Sequence, residues 1–215
     1  MKCYRIHLIR HGTNKGAIEG KYIGHTDEPL SQQGRKELIS LKNDFIYPDC
    51  NVVVSSPLKR CLETAKILYP NREPAIMRGF SEYNFGEFEG LTADELSKYP
   101  EFTQWLQGGE EAATPSGESN GAFKMRVLKD FLSLVEGLFK TGDNSCVVIT
   151  HGGVIMTILS AFGVPELPMH EWLTPCGCGY TVQITPYIWS KVNKFEVTAE
   201  IPLSTHENKG EEKDE

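Results

Sequence analysis

No apolar run in this chain comes near the ~20 residues a membrane-spanning helix needs. The first residues, Met1-Lys2-Cys3-Tyr4-Arg5, hold no apolar leader and no small-residue cleavage site, so the expected compartment is the cytoplasm. Positive charge is scarce. Lys and Arg number 22 against 29 Asp and Glu, a net charge of -7, which argues against general nucleic-acid binding. A local cluster of arginines on such a protein still suits a small anion. Cysteine has no pattern: Cys3, Cys50, Cys61, Cys146, Cys176 and Cys178 fall at irregular spacings, several in apolar runs, and read as buried, reduced thiols. Cys176-Gly177-Cys178 lacks a second Cys pair and a His at ligand spacing, so no metal site is expected. There is no internal repeat and no G-x-x-x-x-G-K-[ST] loop for nucleotide phosphates.

What is present alternates between strand-like and helix-like segments. Cys3 to Ile9 predicts a first strand, with Arg10-His11-Gly12 where it ends. A polar loop spans 12–29, and Ser31 opens a helix to Phe45 as its N-cap. Val52-Val53-Val54 predicts a buried strand over 51–55. Pro57 then begins a helix with Leu58, Cys61, Leu62 and Ala65 as its apolar stripe, ending near Tyr69-Pro70. Residues 75–77 form a short third strand. Segment 81–121, rich in aromatics, Glu and Gly, holds two short helical pieces. Thr92-Ala93-Asp94-Glu95 caps the first, and Trp105 and Leu106 lie in the second. It reads as an elaboration covering the sheet.

Phe123, Val127, Leu128, Phe131, Leu134, Val135 and Leu138 recur at helical spacing, so 119–140 is the longest predicted helix. Residues 145–150 form another buried strand. A mostly apolar helix over 152–162 is closed by Gly163 and Pro165, and 179–185 and 194–201 are two closing strands. Strands separated by helices predict an α/β three-layer sandwich, with a mainly parallel central sheet and helices on both faces. A single domain is expected over 1–203. The charged, non-periodic stretch 204–215 reads as a disordered tail.

Chemistry-bearing residues gather where strands end, the usual place for a site in an α/β protein. Alone, Arg10-His11-Gly12 fits a surface turn. Arg60 stands in the first turn of a helix after a buried strand, off the stripe of Leu58, Cys61, Leu62 and Ala65, and so is expected to point away from that core. A phosphate at the helix N-terminus and a solvated arginine are equally good readings of it. His151 follows a valine-rich strand and precedes Gly152-Gly153, glycines that let backbone approach a ligand. Glu82, Glu87 and Glu89 lie among aromatics, and one of them, desolvated enough to stay protonated, would serve as an acid. Composition does not choose among the three. Arginines for an oxyanion, a neutral imidazole for phosphorus and a carboxylic acid for a leaving alkoxide form a coherent set.

In order along the chain stand Leu8-Ile9-Arg10-His11-Gly12, Gly24-His25-Thr26-Asp27-Glu28-Pro29-Leu30-Ser31 with Gly34, and Ser55-Ser56-Pro57-Leu58-Lys59-Arg60 with Glu63-Thr64-Ala65. They are followed by Glu82 with Phe85-Gly86 and Glu89-Gly90, Gly117-Glu118-Ser119, and His151-Gly152-Gly153. Together they resemble the histidine phosphatase superfamily, in the branch with cofactor-dependent phosphoglycerate mutases, the fructose-2,6-bisphosphatase domain and α-ribazole phosphatase. The resemblance implies a phosphoglycerate mutase-like fold. It implies His11 as the nucleophile that becomes phosphohistidine, Arg10, Arg60 and His151 as phosphoryl-binding groups, and Glu82 as proton donor and then base for water. Asn14, Ile23 and Gly24 fall where relatives contact phosphate or substrate. Neither a metal nor a cofactor is implied. Thr13-Asn14 and Ala17 depart from the usual pattern, which has an Asn at the place of Ala17, so one auxiliary phosphate contact is absent or supplied by Asn14.

Mutases of this kind carry a longer insertion with basic residues after the catalytic Glu. Here 90–117 is short and acidic, and Lys98 is its one cation. The expectation is therefore a metal-independent hydrolase of a small phosphomonoester, with α-ribazole 5′-phosphate as one candidate. Its partners would exclude nucleic acid and membrane, with a homodimer as a possible assembly. A mutase and a non-catalytic phosphate-ester binder are the alternatives. The aromatics Tyr83, Phe85, Phe88, Phe102 and Trp105 suit either a ring-bearing leaving group or a small core under the elaboration.

Overall fold

A computed structural model describes residues 2–204, so 205–215 of the tail read as disordered lies outside the described residues. In chain order the elements are β1 (Tyr4–Arg10), α1 (Lys15–Ile18), α2 (Gln32–Asp44), β2 (Val52–Ser55), α3 (Lys59–Leu68) and β3 (Ala75–Ile76). The covering segment supplies α4 (Ala93–Leu96) and α5 (Pro100–Gln107). Then come α6 (Asn120–Thr141), β4 (Ser145–Thr150), α7 (Gly152–Phe162), β5 (Gly163–Val164), β6 (Gly179–Ile184), α8 (Pro186–Val192) and β7 (Phe195–Ile201).

The seven strands form one sheet in the order β3-β2-β4-β1-β6-β7-β5. β3, β2, β4 and β1 are parallel, β6 runs against its neighbours β1 and β7, and β5 is parallel to β7. Alternation along the central strands explains the layers. Cys146 and Val148 of β4 pack with the α6 and α7 residues Phe131, Val135, Ile155 and Ile158. Val147 and Ile149, pointing the other way, pack with Leu38 of α2 and Cys61 and Ala65 of α3. The expected three-layer α/β sandwich is therefore present. Ser31 caps α2 through Gly34 N–H, and Thr92 and Glu95 form the reciprocal capping box of α4.

The structure departs from the sequence reading in several places. The loop 12–29 contains α1, capped by Asn14. Between the two closing strands lies α8, with Pro186 in its first turn and Trp189 buried. Gly163 closes α7 as expected, in an extended rather than a left-handed conformation. Its φ is -71°, and it enters β5. Glycine is required there because a Cβ would stand 2.5 Å from the Leu159 carbonyl oxygen.

His7 of β1 is buried, with Nδ1 2.9 Å from Thr181 Oγ1 and Nε2 3.4 Å from Ser145 Oγ. Burial first, then the charge of Arg5, lowers its pKa from 6.5 to about 4. The unfolded chain takes this proton at the higher pH and the folded chain at the lower. Stability is therefore complete above pH 6.5 and is lost as pH falls towards 4. His7→Asn keeps a group for Thr181 and removes the titration. Its melting temperature is expected to fall less steeply than that of the wild type across this window; parallel curves would show that His7 is not a source of the acid sensitivity.

Candidate active site

The parallel register of β1 and β4 decides the centre of the site. Arg10 lies opposite Thr150, so the next residues, His11 and His151, leave the sheet side by side. Their ring centroids are 5.1 Å apart with planes at 64°. The end of β1 is fixed from both sides. His11 N–H donates to Thr150 O at 2.8 Å, Arg10 N–H to Cys178 O at 2.8 Å, and Gly177 N–H returns to Arg10 O at 3.0 Å. Cys176-Gly177-Cys178 is thus a backbone brace beneath the site. Among the described residues, no three or more His, Cys, Asp or Glu side chains are grouped to hold a metal ion.

His11 Nδ1 lies 2.7 Å from the carbonyl oxygen of its neighbour Gly12. A carbonyl only accepts, so Nδ1 carries the hydrogen and Nε2 keeps its lone pair. Burial, more than any charge, holds the His11 pKa well below the ordinary imidazole value, and Arg60 and then Arg10 add to it. The two arginine charges are thus the smaller cause. His151, the N-cap residue of α7, is fully buried and also held well below the ordinary value, by burial and then by Arg60, His11 and Arg10. Its Nε2 is 2.8 Å from Ser56 Oγ and 3.4 Å from Cys61 Sγ. Burial pushes the Cys61 thiol up to about 12, so it stands beside the imidazole as a neutral group.

Arg60 has no exposed surface. It does not lie out on a solvated helix face, because the loop after α1 folds over the start of α3. Its Nη1 donates to Thr26 O at 3.0 Å and its Nη2 to Gly24 O at 2.7 Å. Arg10 Nη1 donates to Thr174 O at 2.7 Å, and its guanidinium would lie 3.5–3.6 Å from a Cβ on Gly152, at the α7 N-terminus. The Nε–H groups of Arg10 and Arg60 are buried and have no partner. An unsatisfied buried donor costs about 1–3 kcal/mol. Two of them beside two neutral imidazoles and a helix N-terminus make a site for a small anion.

The structure also separates the three glutamates. Glu82 turns into the site: Oε1 accepts from Tyr83 N–H at 2.9 Å and Oε2 from Gly153 N–H, in the first turn of α7, at 3.1 Å. Glu87 is exposed and accepts from Ser116 Oγ. Glu89 is a backbone latch, accepting from the amides of Gly24, His25, Thr26 and Phe85 at 2.8–3.3 Å. Residues 24–26 are thus held by their carbonyls on Arg60 and by their amides on Glu89. Ile23 and Gly24 lie on this loop, and the Gly24 N–H is spent on Glu89. Asn14 is buried; its Oδ1 accepts Ala17 N–H and its Nδ2 donates to Glu28 at 2.8 Å. The aromatics of the covering segment pack on one another. Phe88, Leu96 and Phe102 form a separate small core with Tyr22, Phe85, Leu91 and Trp105. Trp105 Nε1 is satisfied by Tyr83 and Asn120.

Gly117-Glu118-Ser119-Asn120-Gly121 spells a G-x-S-x-G pattern. It is not a serine nucleophile on a strand-to-helix elbow, because Ser119 is the N-cap of α6 and accepts the Ala122 N–H. Glu118 and Arg126, neither singled out from sequence as site residues, contact the backbone around Glu82. The only signal for them was the Gly117-Glu118-Ser119 run.

Residues 6–192 match the histidine phosphatase superfamily (branch 1). The chain is 27% identical over 187 residues to an adenosylcobalamin/α-ribazole phosphatase of Escherichia coli (strain K12), across 84% of this chain and 90% of that one. To 2,3-bisphosphoglycerate-dependent phosphoglycerate mutase 2 of Gloeobacter violaceus it is 29% identical over 160 residues, across 71% and 72%. The solved α-ribazole phosphatase of Shigella flexneri superposes with a TM-score of 0.76 at 23% identity, covering 94% of this chain and 96% of that one, a likeness of fold.

Two glycines near the site predict opposite outcomes. A Cβ at Gly153 meets the Glu82 carboxylate at 2.4 Å, the movable end of a side chain. A Cβ at Gly24 meets the Tyr83 carbonyl oxygen at 1.7 Å, which is backbone. Gly24→Ala is expected to destabilise by about 1–3 kcal/mol in urea unfolding. Gly153→Ala is expected to unfold near the wild-type midpoint while losing turnover, because Glu82 is displaced. Equal midpoints for the two variants would contradict this.

Proposed function

The chain belongs to the histidine phosphatase superfamily, and on that basis we propose that it hydrolyses small phosphomonoesters through a phosphohistidine on His11. One observation carries the reading most directly: His11 Nδ1 lies 2.7 Å from the Gly12 carbonyl oxygen, which assigns its hydrogen there and leaves the Nε2 lone pair free, in the field of two guanidinium groups with unpaired Nε–H. Arg10, Arg60 and His151 bind the phosphoryl oxygens and stabilise the equatorial charge of a loose, in-line transfer. The Nε2 lone pair attacks phosphorus as the bond to the ester oxygen breaks. Glu82, protonated, gives its proton to that oxygen, and the alcohol leaves. Water then attacks the phosphohistidine and passes a proton to the Glu82 carboxylate. The N–P bond breaks, its electron pair returns to Nε2, and phosphate leaves with Glu82 protonated again. Asn14, Ile23 and Gly24 are proposed to shape the substrate side of the site, Ile23 by direct contact and the buried Asn14 and Gly24 through the loop that their hydrogen bonds hold.

Water rather than a second phosphate ester is the expected acceptor. Segment 90–117 is acidic, and its one cation, Lys98, is exposed. The reaction is proposed to need no metal or cofactor, and the reducing cytoplasm is the proposed compartment, in keeping with the buried thiols of Cys61 and Cys146. α-Ribazole 5′-phosphate is the first candidate substrate, on the strength of the relatives that bear that name. Phosphoglycerates are the second, since mutases are also among the relatives. A phosphomonoester panel ranked by kcat/KM decides between them. Hydrolysis of p-nitrophenyl phosphate is expected to persist in EDTA, and a phosphorylated substrate is expected to leave an acid-labile, alkali-stable label on the protein. His11→Ala should abolish the label; labelling at the wild-type level in that variant would remove His11 as nucleophile. No turnover across the whole panel would instead favour a phosphate-ester binder.

A further inference from the structure

The segment that carries Glu82 lies between two short 3-10 turns, over Arg78–Phe80 and Gly86–Phe88, and belongs to neither. It is gripped by α6. Arg126 has five N–H donors, and all five are used. Nε donates to Glu118 Oε2 at 2.9 Å, and Nη1 donates to Gly79 O at 2.9 Å and Ser81 O at 2.7 Å. Nη2 donates to the carbonyl of Glu82 itself at 2.8 Å and to Glu118 Oε1 at 2.6 Å. Glu118 completes the arrangement: its Oε1 accepts Asn84 N–H at 2.7 Å, and its backbone carbonyl accepts the Tyr83 hydroxyl. The backbone is therefore tied on both sides of Glu82, and the guanidinium lies over the Phe123 ring, 4.9 Å from its centroid. A charge-assisted network of this density, with side chains only partly exposed (26% and 15%), is more than an ordinary surface ion pair.

We infer that Arg126 and Glu118 are positioning residues for proton delivery, fixing the depth at which the Glu82 carboxyl enters the site. The inference rests on Glu82 being the proton donor. Lysine at 126 keeps the charge but cannot hold Glu118 and three carbonyls together, because its ammonium is a point donor on a flexible stem. A shift of the acid by about 1 Å costs up to about 100-fold in rate.

Two substrates separate positioning from general damage. An alkyl phosphomonoester expels a basic alkoxide and needs the proton. p-Nitrophenyl phosphate expels a stable phenolate and hardly needs it. kcat/KM reports the step that forms the phosphohistidine, whichever step limits kcat. Arg126→Lys is expected to lower kcat/KM for the alkyl ester at least about 10-fold more than for the aryl ester. Glu118→Gln should show the same bias to a smaller degree, and stands in if Arg126→Lys fails to fold by circular dichroism. In a Glu82→Gln background, Arg126→Lys should add no further bias. The clamp is overturned if Glu82→Gln is biased towards the alkyl ester while Arg126→Lys and Glu118→Gln lower both esters alike. A Glu82→Gln variant without bias would instead overturn the donor role, and this inference with it.

Discussion

Arg60 keeps a full positive charge at zero solvent exposure, and no carboxylate among the described residues is in ion-pair contact with it. A buried charge left without compensation is severely unfavourable, so the surroundings have to answer it. They do so with backbone dipoles, the carbonyls of Gly24 and Thr26. Those carbonyls face inward only because Glu89 gathers the amides of the same residues on the other side. Gly24 has to be glycine because Tyr83 backbone passes where a Cβ would be. The chain from Arg60 through the loop to the 82–89 segment is one electrostatic unit, and the site takes its shape from it.

The same device recurs on the opposite flank. Glu118 accepts the Asn84 amide two residues beyond Glu82, as Glu89 accepts those of the loop, and Arg126 takes backbone carbonyls as Arg60 does. The 24–26 loop and the segment around Glu82 are thus each held by one cation on their carbonyls and one anion on their amides. Irregular backbone lacks the ladder that satisfies peptide groups in a strand or helix. Charged side chains replace the ladder and let a loop be as fixed as the sheet beneath it. Catalytic geometry needs that rigidity more than it needs regularity.

Much of this was legible in the sequence, for physical reasons. Arg10-His11-Gly12 and His151-Gly152-Gly153 stand where an apolar strand meets a glycine, and such junctions leave a local mark in composition. Local marks also gave the caps of α2 and α4 and the layers of the sandwich. The choice of Glu82 over Glu87 and Glu89 came from family resemblance, since three carboxylates in one aromatic stretch look alike until their partners are known. The environment of Arg60 was not legible. Helical spacing put it off the apolar stripe, but a loop some 35 residues earlier in sequence covers it. The reversed direction of β6 was equally hidden, because side-chain alternation is the same in parallel and antiparallel strands. Arg126 looked like one polar position on a long helix. Its partners are mostly main-chain carbonyls, which every residue has and no sequence displays.

The strand order also bears on how the molecule comes into being. β4 lies between β2 and β1, although it follows β2 by about 90 residues and β1 by about 135. A growing chain that has reached the end of α6 already contains His11, Arg60 and Glu82, yet the two strands delivering the first pair have nothing between them. Only when residues 145–151 arrive does the gap close, and the same segment brings the second imidazole. Pairings so distant in sequence are slow to form. Closure of the β2-β4-β1 part of the sheet and the arrival of the second imidazole are therefore a single event, and no chain that stops short of β4 holds both histidines.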